Sequence, residues 1–468
     1  MSTYLGTERI LIKGGVVLSQ DPKVGDLPKG DILIENGLIS AIGPDLSVDD
    51  ARVIDASDCY VLPGFVDTHR HNWQSVVRHV GSDWTLGQYF TGIHFGLSKL
   101  FRPEDTYIAN LLGRVEALDA GITTMLDWSH NTDTPEHGDA AVAGLLEAGG
   151  ARSVFAHGGG ASMWQVVSAV PHHRDVLRIQ KEYFSSSDQL VTLAFAARGP
   201  QYATPEANHA DFALARELGT RITVHAGDGE WGKRRGLAWM HEHGYTGPNV
   251  TYVHCNTLAD DEYHMLADTG GTASVSADIE TQMGHGWPAT GKLLDVGVRP
   301  SLSIDVCTSN GGDMFHAMKT TISTQRALDN DAPGGGSNAD GLRLSCKDVV
   351  DFATMQGAVA NGLDDKVGSI TVGKQADIIL VRADSLGMTP HNNPYGALVY
   401  SGHAGMVDTV LVAGKVVKEN GKLLGVDVNH IKELAQRTTD YLFEMAPTVS
   451  TIADAKRGGE WLPAATKS

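Results

Sequence analysis

Two histidines one residue apart, His69 and His71, are the residues of this chain best suited to chemistry. They follow a short apolar run and a Pro-Gly turn, a pattern that indicates a β-strand. Side chains alternate along a strand, so both imidazoles point to one face and can bind the same metal ion. Three later residues, His225, His254 and Asp305, each end another short apolar or β-branched run. The pattern predicts a metal site whose ligands come from the ends of several strands.

Each of these residues also has a purely structural interpretation. His69 and His71 can be the polar ends of a core strand, and His225 and His254 can be buried histidines with satisfied hydrogen bonds. Asp305 can be the N-cap of a following helix, a position that aspartate often occupies. Because all five residues occur at the ends of strand-like runs, the metal site is the favoured interpretation.

The elements that must hold these side chains follow from the hydrophobic pattern. In the middle of the chain, helix-like segments alternate with strand-like segments, as in 103–120 before 123–127 and 205–218 before 221–224. Such alternation over about 300 residues favours a parallel (β/α)8 barrel, whose active face lies at the C-terminal ends of the strands. A doubly wound sheet is the alternative, but no Gly-x-Gly-x-x-Gly follows the first strand.

Both ends of the chain contain short strands with turn signals, including a hairpin signal at Asn36-Gly37. We therefore expect one small β domain built from both termini. The predicted boundaries are 1–62 and 367–427 for the two parts of this domain, 63–366 for the barrel, and 428–468 for a C-terminal helix and tail.

Several longer motifs carry a resemblance to a known family. They are Leu62–His71 (LPGFVDTHRH), Asp119–Asp127 (DAGITTMLD), the pair His254-Cys255, and Val367–Ile378 (VGSITVGKQADI). With them the chain resembles the amidohydrolase superfamily, in the branch that contains cytosine deaminase, guanine deaminase and the triazine hydrolases. The resemblance covers nearly the whole chain. It implies a distorted α/β TIM barrel with a small composite β-sandwich, and metal-dependent hydrolysis of carbon–nitrogen bonds.

The resemblance also implies a role for each strand-end residue. His69 and His71 from the first barrel strand, His225 from the fifth and Asp305 from the eighth would be the metal ligands. Asp305 would also hydrogen-bond the attacking water, and His254 would orient that water or bind the tetrahedral intermediate. Three imidazoles and a carboxylate around a divalent ion lower the pKa of bound water towards ~7, which makes hydroxide available at neutral pH.

One metal ion per subunit is expected. Binuclear relatives bridge two metals with a carbamylated lysine on the fourth strand, but this chain has no lysine between Lys181 and Lys233. Zinc suits the ligand set, and iron, manganese or cobalt would also fit.

The chain departs from the family pattern after the fifth strand. Relatives that deaminate heterocycles carry His-x-x-Glu there, and the glutamate shuttles a proton; here the spacing places Asp228 three residues after His225. Either Asp228 performs the shuttle, or Glu230 reaches in, or the leaving group needs less assistance. Asp228 can also simply cap the next helix.

Polar and aromatic residues near the expected strand ends are candidates for substrate contacts. An aromatic ring there could stack on a planar substrate, and carboxylate or guanidinium groups could recognise ring nitrogens or carbonyls. The candidates are Gln74, Trp84, His130, Arg198, Gln201, Glu280 and His285. They suggest a polar, planar, nitrogen-containing small molecule as substrate.

Composition excludes several other partners. The formal charge of −19 disfavours nucleic acid and anionic membranes, and no uncharged apolar stretch approaches the length of a membrane span. The N-terminal segment lacks the pattern of a signal peptide, and four widely spaced cysteines are typical of reduced thiols in a cytoplasmic protein. From the resemblance we expect a homo-oligomer.

These observations lead to one main functional hypothesis and two alternatives. The main one is a metal-dependent aminohydrolase of a purine, pyrimidine or triazine ring. The first alternative is a hydrolase of the same kind that releases chloride, an amine or an aryl amine from a triazine, urea or amide. The second is a non-catalytic scaffold of the same fold, against which the complete ligand set argues.

Overall fold

The computed structural model of the chain describes residues 4–164, 167–336 and 341–449. Its strands form two sheets, one of eight parallel strands and one of nine strands in mixed orientation. The predicted combination of a β/α barrel with a small β domain from both termini is confirmed.

The N-terminal part of the chain contributes five strands to the nine-stranded sheet. They are β1 (Ile10–Leu18), β2 (Asp26–Glu35), β3 (Leu38–Gly43), β4 (Arg52–Asp55) and β5 (Cys59–Pro63). The predicted Asn36-Gly37 turn joins β2 and β3, and both residues have a positive φ, of 53° and 77°. Asparagine and glycine tolerate this left-handed conformation, so the turn fits the hairpin.

The barrel strands follow in sequence order, each parallel to its neighbour. They are β6 (Phe65–Arg70), β7 (Ile122–Ser129), β8 (Arg152–His157), β9 (Val191–Ala197), β10 (Ile222–Ala226), β11 (Val250–His254), β12 (Thr272–Val275) and β13 (Ser301–Leu302). Every residue of β6, β7 and β8 is buried, as expected for parallel strands covered on both faces.

The last and first strands meet just beyond β13. The backbone N–H of Asp305 donates to the carbonyl of His69 over 2.8 Å, and the N–H of His71 donates to the carbonyl of Asp305 over 2.8 Å. These two bonds join the segment after β13 to the end of β6, at the C-terminal edge of the barrel. They place Asp305 directly beside the two histidines.

The remaining strands return to the small domain. They are β14 (Ile378–Arg382), β15 (Val407–Val412), β16 (Lys415–Glu419) and β17 (Lys422–Leu423). Because β14 pairs with β5, the two termini form one continuous sheet. This sheet has an apolar cluster of its own, which includes Ile32, Val61 and Leu380.

Helices cover the barrel and extend its loops. The α-helices are α1 (Leu86–Tyr89), α2 (Pro103–Asp119), α3 (Pro135–Leu146), α4 (Asp175–Tyr183), α5 (Pro205–Leu218), α6 (Gly229–Gly232), α7 (Gly236–Glu242), α8 (Asp260–Asp268), α9 (Ala277–Met283), α10 (Thr290–Asp295), α11 (Met314–Asp331), α12 (Cys346–Phe352), α13 (Met355–Ala360), α14 (Pro394–Ser401) and α15 (Val428–Met445). A π-helical turn, Phe90–His94, continues α1, and 3-10 turns occupy Asn72–Val77, Leu97–Leu100, Ala161–Met163, Ala404–Met406 and Ala446–Thr448.

Helix ends follow the usual chemistry of capping. In α5 the Thr204 side chain accepts the N–H of Ala207, Pro205 is the first helical residue, and Gly219 ends the helix with φ 66°. The long helices predicted at 103–120 and 205–218 are thus present as α2 and α5.

Among the described residues, none of the helices is both long enough and apolar enough to cross a membrane.

Candidate active site

The first-strand histidines and Asp305 form the centre of the site. His69 Nε2 lies 3.2 Å and His71 Nε2 lies 3.3 Å from Oδ1 of Asp305. All three side chains are buried. Zinc bonds of roughly 2.0–2.2 Å in a tetrahedron separate neighbouring ligand atoms by about 3.3–3.5 Å. The observed separations are close to that spacing, so the three groups can share one cation.

His225 and His254 come from the neighbouring strands β10 and β11 to the same point. The ring centroids of His69 and His225 are 4.8 Å apart, and those of His225 and His254 are 5.5 Å apart. Ligand nitrogens of His69, His225 and His254 lie within 4.8 Å of one another. The structure therefore brings together the five strand-end residues singled out in the sequence.

The hydrogen bonding around these histidines fits a bound cation. Both ring nitrogens of His69 and Nδ1 of His225 are buried and, within the described part of the chain, have no hydrogen-bond partner. His71 is held differently, because its Nδ1 donates to the Trp128 carbonyl over 2.9 Å. That bond directs the lone pair of His71 Nε2 towards Asp305, as in protein metal sites where a second group fixes the imidazole.

The ionisation states also suit a metal ligand set. Burial lowers the pKa values of His69, His71 and His225 below the ordinary histidine range, so these rings are neutral. Burial alone would raise the pKa of Asp305, but its interactions with His69 and His254 lower it well below the usual range. Neutral imidazoles and an ionised carboxylate are the forms that bind a divalent metal.

His254 has a different environment. Its Nδ1 lies 3.2 Å from Glu280 Oε1, and its Nε2 lies 3.9 Å from Asp305 Oδ2. Burial lowers its pKa, but the hydrogen bond with Glu280 and the charges of Asp305 and Asp228 outweigh this and raise it to about 9. His254 is therefore a cationic hydrogen-bond donor beside the carboxylate of Asp305.

Asp228 lies beside His254, in the loop after β10. The Tyr202 hydroxyl donates to its Oδ2, and His285 Nδ1 lies 3.0 Å from its Oδ1. Its side chain makes no capping bond to α6, although the residue precedes that helix. Glu230, the alternative shuttle, has a side chain 83% exposed and is paired with Lys233 over 2.6 Å. Glu230 therefore points away from the site.

The interpretation of Asp305 as a helix N-cap is also wrong. The nearest helix, α11, begins at Met314, and its N-cap is Asp313, whose side chain accepts the N–H of His316. Asp305 itself has φ 63°, in the left-handed region that residues other than glycine seldom adopt.

A cavity of about 340 Å³ opens onto these groups. Its walls include the predicted residues His130 and His285 together with several residues that the sequence analysis missed. The latter are Leu86, Tyr89, Phe90, His94, Trp164, Tyr202, Met283 and Val306. Four of them lie on α1 and the π-helical turn that follows it, in the first strand-to-helix loop, where the sequence analysis had selected Trp84 instead. No motif in the sequence distinguishes the aromatic residues that face this cavity from those in the core.

Three predicted substrate contacts are buried elsewhere in hydrogen bonds or packing. Arg198 pairs with Asp211 over 2.9 Å and donates to backbone carbonyls, so its charge is not available to a substrate. Trp84 is buried in the main apolar core and packs against Gly81. Glu280 accepts the Ser276 N–H over 2.7 Å and contacts His254. None of these three residues lines the cavity.

Two more predicted contacts lie behind the cavity wall. The Gln74 amide donates to the hydroxyl of Tyr89 over 2.6 Å, and Gln201 Oε1 accepts the backbone N–H of Asp228 over 3.5 Å. Both glutamines support residues that line the cavity and are not lining residues themselves. His130 does line it, stacked on His71 with ring centroids 4.1 Å apart, and its Nδ1 accepts the indole N–H of Trp73.

Comparison with known proteins places this site in a family. A profile of the amidohydrolase family matches residues 60–417. The chain belongs to the amidohydrolase family. The family resemblance seen in the sequence, and with it the prediction of a hydrolase acting on carbon–nitrogen bonds, are confirmed.

Individual relatives of this amidohydrolase cover almost its whole length. A 5'-deoxyadenosine deaminase of Methanosarcina barkeri is 27% identical over 442 residues, which are 92% of this chain and 98% of the relative. The crystal structure of an adenosine deaminase from Xanthomonas campestris with bound zinc has a TM-score of 0.80 at 23% identity, covering 93% of this chain and 99% of that one. A mutant of the atrazine chlorohydrolase of Arthrobacter aurescens, complexed with zinc and atraton, has a TM-score of 0.79 at 22% identity, covering 92% and 100%.

Proposed function

We propose that this amidohydrolase is a mononuclear, metal-dependent aminohydrolase that removes an amino group from an uncharged nitrogen heterocycle. The observation that carries the proposal is the convergence of His69, His71, His225 and Asp305 at the end of a cavity that also contains His254 and Asp228. Zinc is the proposed ion, because it suits this donor set and occurs in the two structural neighbours, and iron, manganese or cobalt are the alternatives.

A divalent cation in this ligand set supplies a Lewis acid that lowers the pKa of water. The protein's own groups then handle the protons. Asp305 Oδ2 is the proposed acceptor of the proton from the attacking water. His254, cationic and held by Glu280, donates a hydrogen bond to the negative charge that develops on the substrate.

Asp228 is the proposed proton carrier for the leaving group. It is on the cavity wall, with His254 and His285 nearby. A carboxylate in this place can pass a proton to a ring nitrogen and then to the departing amine. The amino group is a poor leaving group unless it is protonated and departs as ammonia, so this step is needed for deamination.

The cavity walls indicate the substrate class. Within the described residues, the lining contains two carboxylates, several histidines and four aromatic side chains, but no lysine or arginine. An anionic substrate would meet these two carboxylates and a single cation, His254, which already lies beside Glu280 and Asp305. An uncharged aminated purine, pyrimidine or triazine fits these features, and the relatives named above are deaminases of adenosine compounds or a triazine hydrolase.

A different leaving group is the second candidate. Asp228 is one methylene shorter than the glutamate of the family's His-x-x-Glu pattern, so it reaches less far towards a leaving amine. Release of chloride or of a preformed amine needs less proton transfer, and one structural neighbour is an atrazine chlorohydrolase.

A substrate screen with metal analysis tests the proposal. Purified protein is first analysed for metal content, and we expect about one divalent ion per chain. The loaded enzyme is then assayed with aminated purines, pyrimidines and triazines for ammonia release, and with chlorinated triazines and aryl amides as comparison. Ammonia release from an uncharged ring supports the proposal. Two results contradict it. One is a protein that binds no metal and shows no activity, and the other is turnover of chlorinated or amide substrates alone.

Three further features stay predictions of the sequence. They are a cytoplasmic location, assembly into a homo-oligomer, and the domain boundaries at 62/63, 366/367 and 427/428.

A further inference from the structure

Tyr202 lines the cavity beside Asp228, the proposed proton carrier. It lies in the turn after β9, while Asp228 follows β10, and the two strands are direct neighbours in the barrel. Parallel neighbours end at the same edge, so their loops lie side by side. Both side chains are almost completely buried.

The turn that carries Tyr202 is tightly defined. The backbone N–H of Tyr202 donates to the carbonyl of Gly199 over 3.2 Å. Gly199 has φ 73°, and a Cβ atom there would lie 2.6 Å from Val224 of the neighbouring strand. Only glycine fits both constraints without movement of the backbone or of Val224. The phenol ring of Tyr202 is therefore held at a set place above the end of β10.

Asp228 is held by a hydrogen bond at one carboxylate oxygen, Oδ2, while Oδ1 is buried without a hydrogen-bond partner among the described residues. Tyr202 donates its hydroxyl hydrogen to Oδ2, and His285, from the loop after β12, lies 3.0 Å from Oδ1. Burial, together with the charge of Asp228 and the hydrogen bond to it, raises the pKa of Tyr202 well above its ordinary value. The phenol therefore stays protonated and remains a donor at any working pH.

We propose that Tyr202 is a positioning residue for Asp228: its hydroxyl holds Oδ2, so that Oδ1 is presented to the cavity for proton transfer. The inference rests on the proposed function, in which Asp228 carries the proton. A short carboxylate has less reach than a glutamate, so its orientation matters more for proton transfer. In this arrangement Tyr202 acts through Asp228 and not through the substrate.

A double-mutant cycle tests the inference. The variants are Tyr202→Phe, Asp228→Ala and the double variant, with Tyr245→Phe as the matched control. The Tyr245 hydroxyl is hydrogen-bonded to His209 on the outer surface, so removing this hydroxyl should leave kcat unchanged. We expect Tyr202→Phe to lower kcat roughly tenfold to a hundredfold with KM little changed, since small misplacements of catalytic groups cost about this much. In the Asp228→Ala background, Tyr202→Phe should cause no further loss.

Two outcomes overturn the inference. One is that the two kinetic effects multiply, which means that Tyr202 acts independently of Asp228. The other is that Tyr202→Phe raises KM at unchanged kcat, which means that the hydroxyl contacts the substrate. Tyr202→His, which keeps a ring and a donor, is carried through the same cycle. It serves as the test if the phenylalanine variant does not fold.

A second readout separates this inference from the proposed function. Thermal unfolding is measured for the parent protein, the two single variants and the double variant, at fixed metal content and without substrate. It reports the hydroxyl–carboxylate contact alone. We expect Tyr202→Phe to lower the Tm when Asp228 is present and to lower it less in the Asp228→Ala background. If no heterocyclic amine is hydrolysed but the Tm effects are coupled, the proposed function fails and the contact stands. If the Tm effects are additive, the positioning role fails even in an active enzyme.

Discussion

Two of the residues proposed to act on water have left-handed backbone conformations. His254 has φ 75° and Asp305 has φ 63°, and neither is a glycine. Such conformations cost about 1–3 kcal/mol each and persist only where the surrounding structure holds them. Here the barrel closure holds Asp305 through two backbone hydrogen bonds with β6 and the residue after it. With these backbone conformations the two side chains lie beside the histidines of the first strand.

Loss of a ligand should abolish turnover. His71→Ala removes a nitrogen 3.3 Å from Asp305, and Asp305→Asn removes the negative charge of the ligand set. We expect kcat/KM to fall by roughly a thousandfold or more in each, since these groups act as a unit. The measurements are steady-state kinetics, metal content by mass spectrometry, and circular dichroism to confirm the fold. Near-normal turnover in either folded variant would show that the ligands have been misassigned.

Removal of the proton carrier should affect rate more than binding. Asp228→Asn keeps the shape of the side chain and its place beside Tyr202, but it cannot carry a proton. We expect kcat to fall by about 10²–10⁴-fold with a small change in KM, as for general acid–base groups. Glu230→Gln is the control, because that side chain is exposed and paired with Lys233. Equal losses in the two variants would contradict the assignment.

At the scale of elements, the site depends on how closely α13 packs against the first barrel strand. Gly357 of α13 faces Val66 of β6, and a Cβ at position 357 would lie 2.6 Å from the Cβ of Val66. The strand is also held by its Val66 N–H, which donates to the carbonyl of Ala353 over 2.8 Å. The close approach buries the strand that carries both ligand histidines.

Gly357→Ala should therefore destabilise the protein. The added methyl group has no room, and overpacking of a filled core costs roughly 1–3 kcal/mol. Gly387→Ala is the matched control, because a Cβ there meets nothing within 4 Å. The free energy of unfolding is measured by denaturant titration with metal content held constant. Equal stability of the two variants would mean that α13 and β6 are not packed as closely as described.

At the scale of the whole molecule, an ion pair joins the barrel to the small sheet. Arg152 of β8 pairs with Asp377, just before β14, over 2.9 Å and 3.0 Å, and both are buried. Asp377 also accepts the backbone N–H of Ala413 over 2.7 Å. Because these bonds join residues distant in sequence, the two sheets are positioned relative to each other by side-chain contacts as well as by the connecting chain.

Buried neutral histidines make the molecule sensitive to acid. His157, at the end of β8, lies 2.8 Å from the ring of His172. Burial lowers its pKa to about 4; the charge of Asp175 acts in the opposite direction, and those of His173 and Arg178 lower the pKa further. The folded state thus binds fewer protons than the unfolded chain between pH 6.5 and 4. Stability is complete above pH 6.5 and falls as the pH drops through this window.

The pH dependence of stability should therefore change when His157 is replaced. From the two pKa values, His157 alone costs about 2 kcal/mol of unfolding free energy between pH 7.5 and pH 5. In His157→Gln this part of the loss should disappear, as measured by denaturant unfolding at the two pH values. The exposed variant His403→Gln is not expected to change the slope. A slope equal to that of the parent protein would mean that His157 is not buried in its neutral form.

The sequence by itself determined the features that depend on neighbouring residues or on strand ends. The spacing of His69 and His71 places both rings on one face, because the period of a strand is two residues. The same local rule predicted that His225, His254 and Asp305 would be presented at the active edge of a barrel. Helices α2 and α5 were also predictable, since their hydrophobic spacing and end residues act within one element.

Only the tertiary structure decided which side chains around that edge face the cavity. Arg198 and Tyr202 both follow β9, but Arg198 turns to Asp211 while Tyr202 bonds Asp228. Glu280 contacts His254 and not the substrate space, and Glu230 points to solvent while Asp228 points inwards. These choices depend on contacts between loops from different strands, which lie far apart in sequence. No local pattern encodes such contacts, because their energies arise only when the barrel has closed.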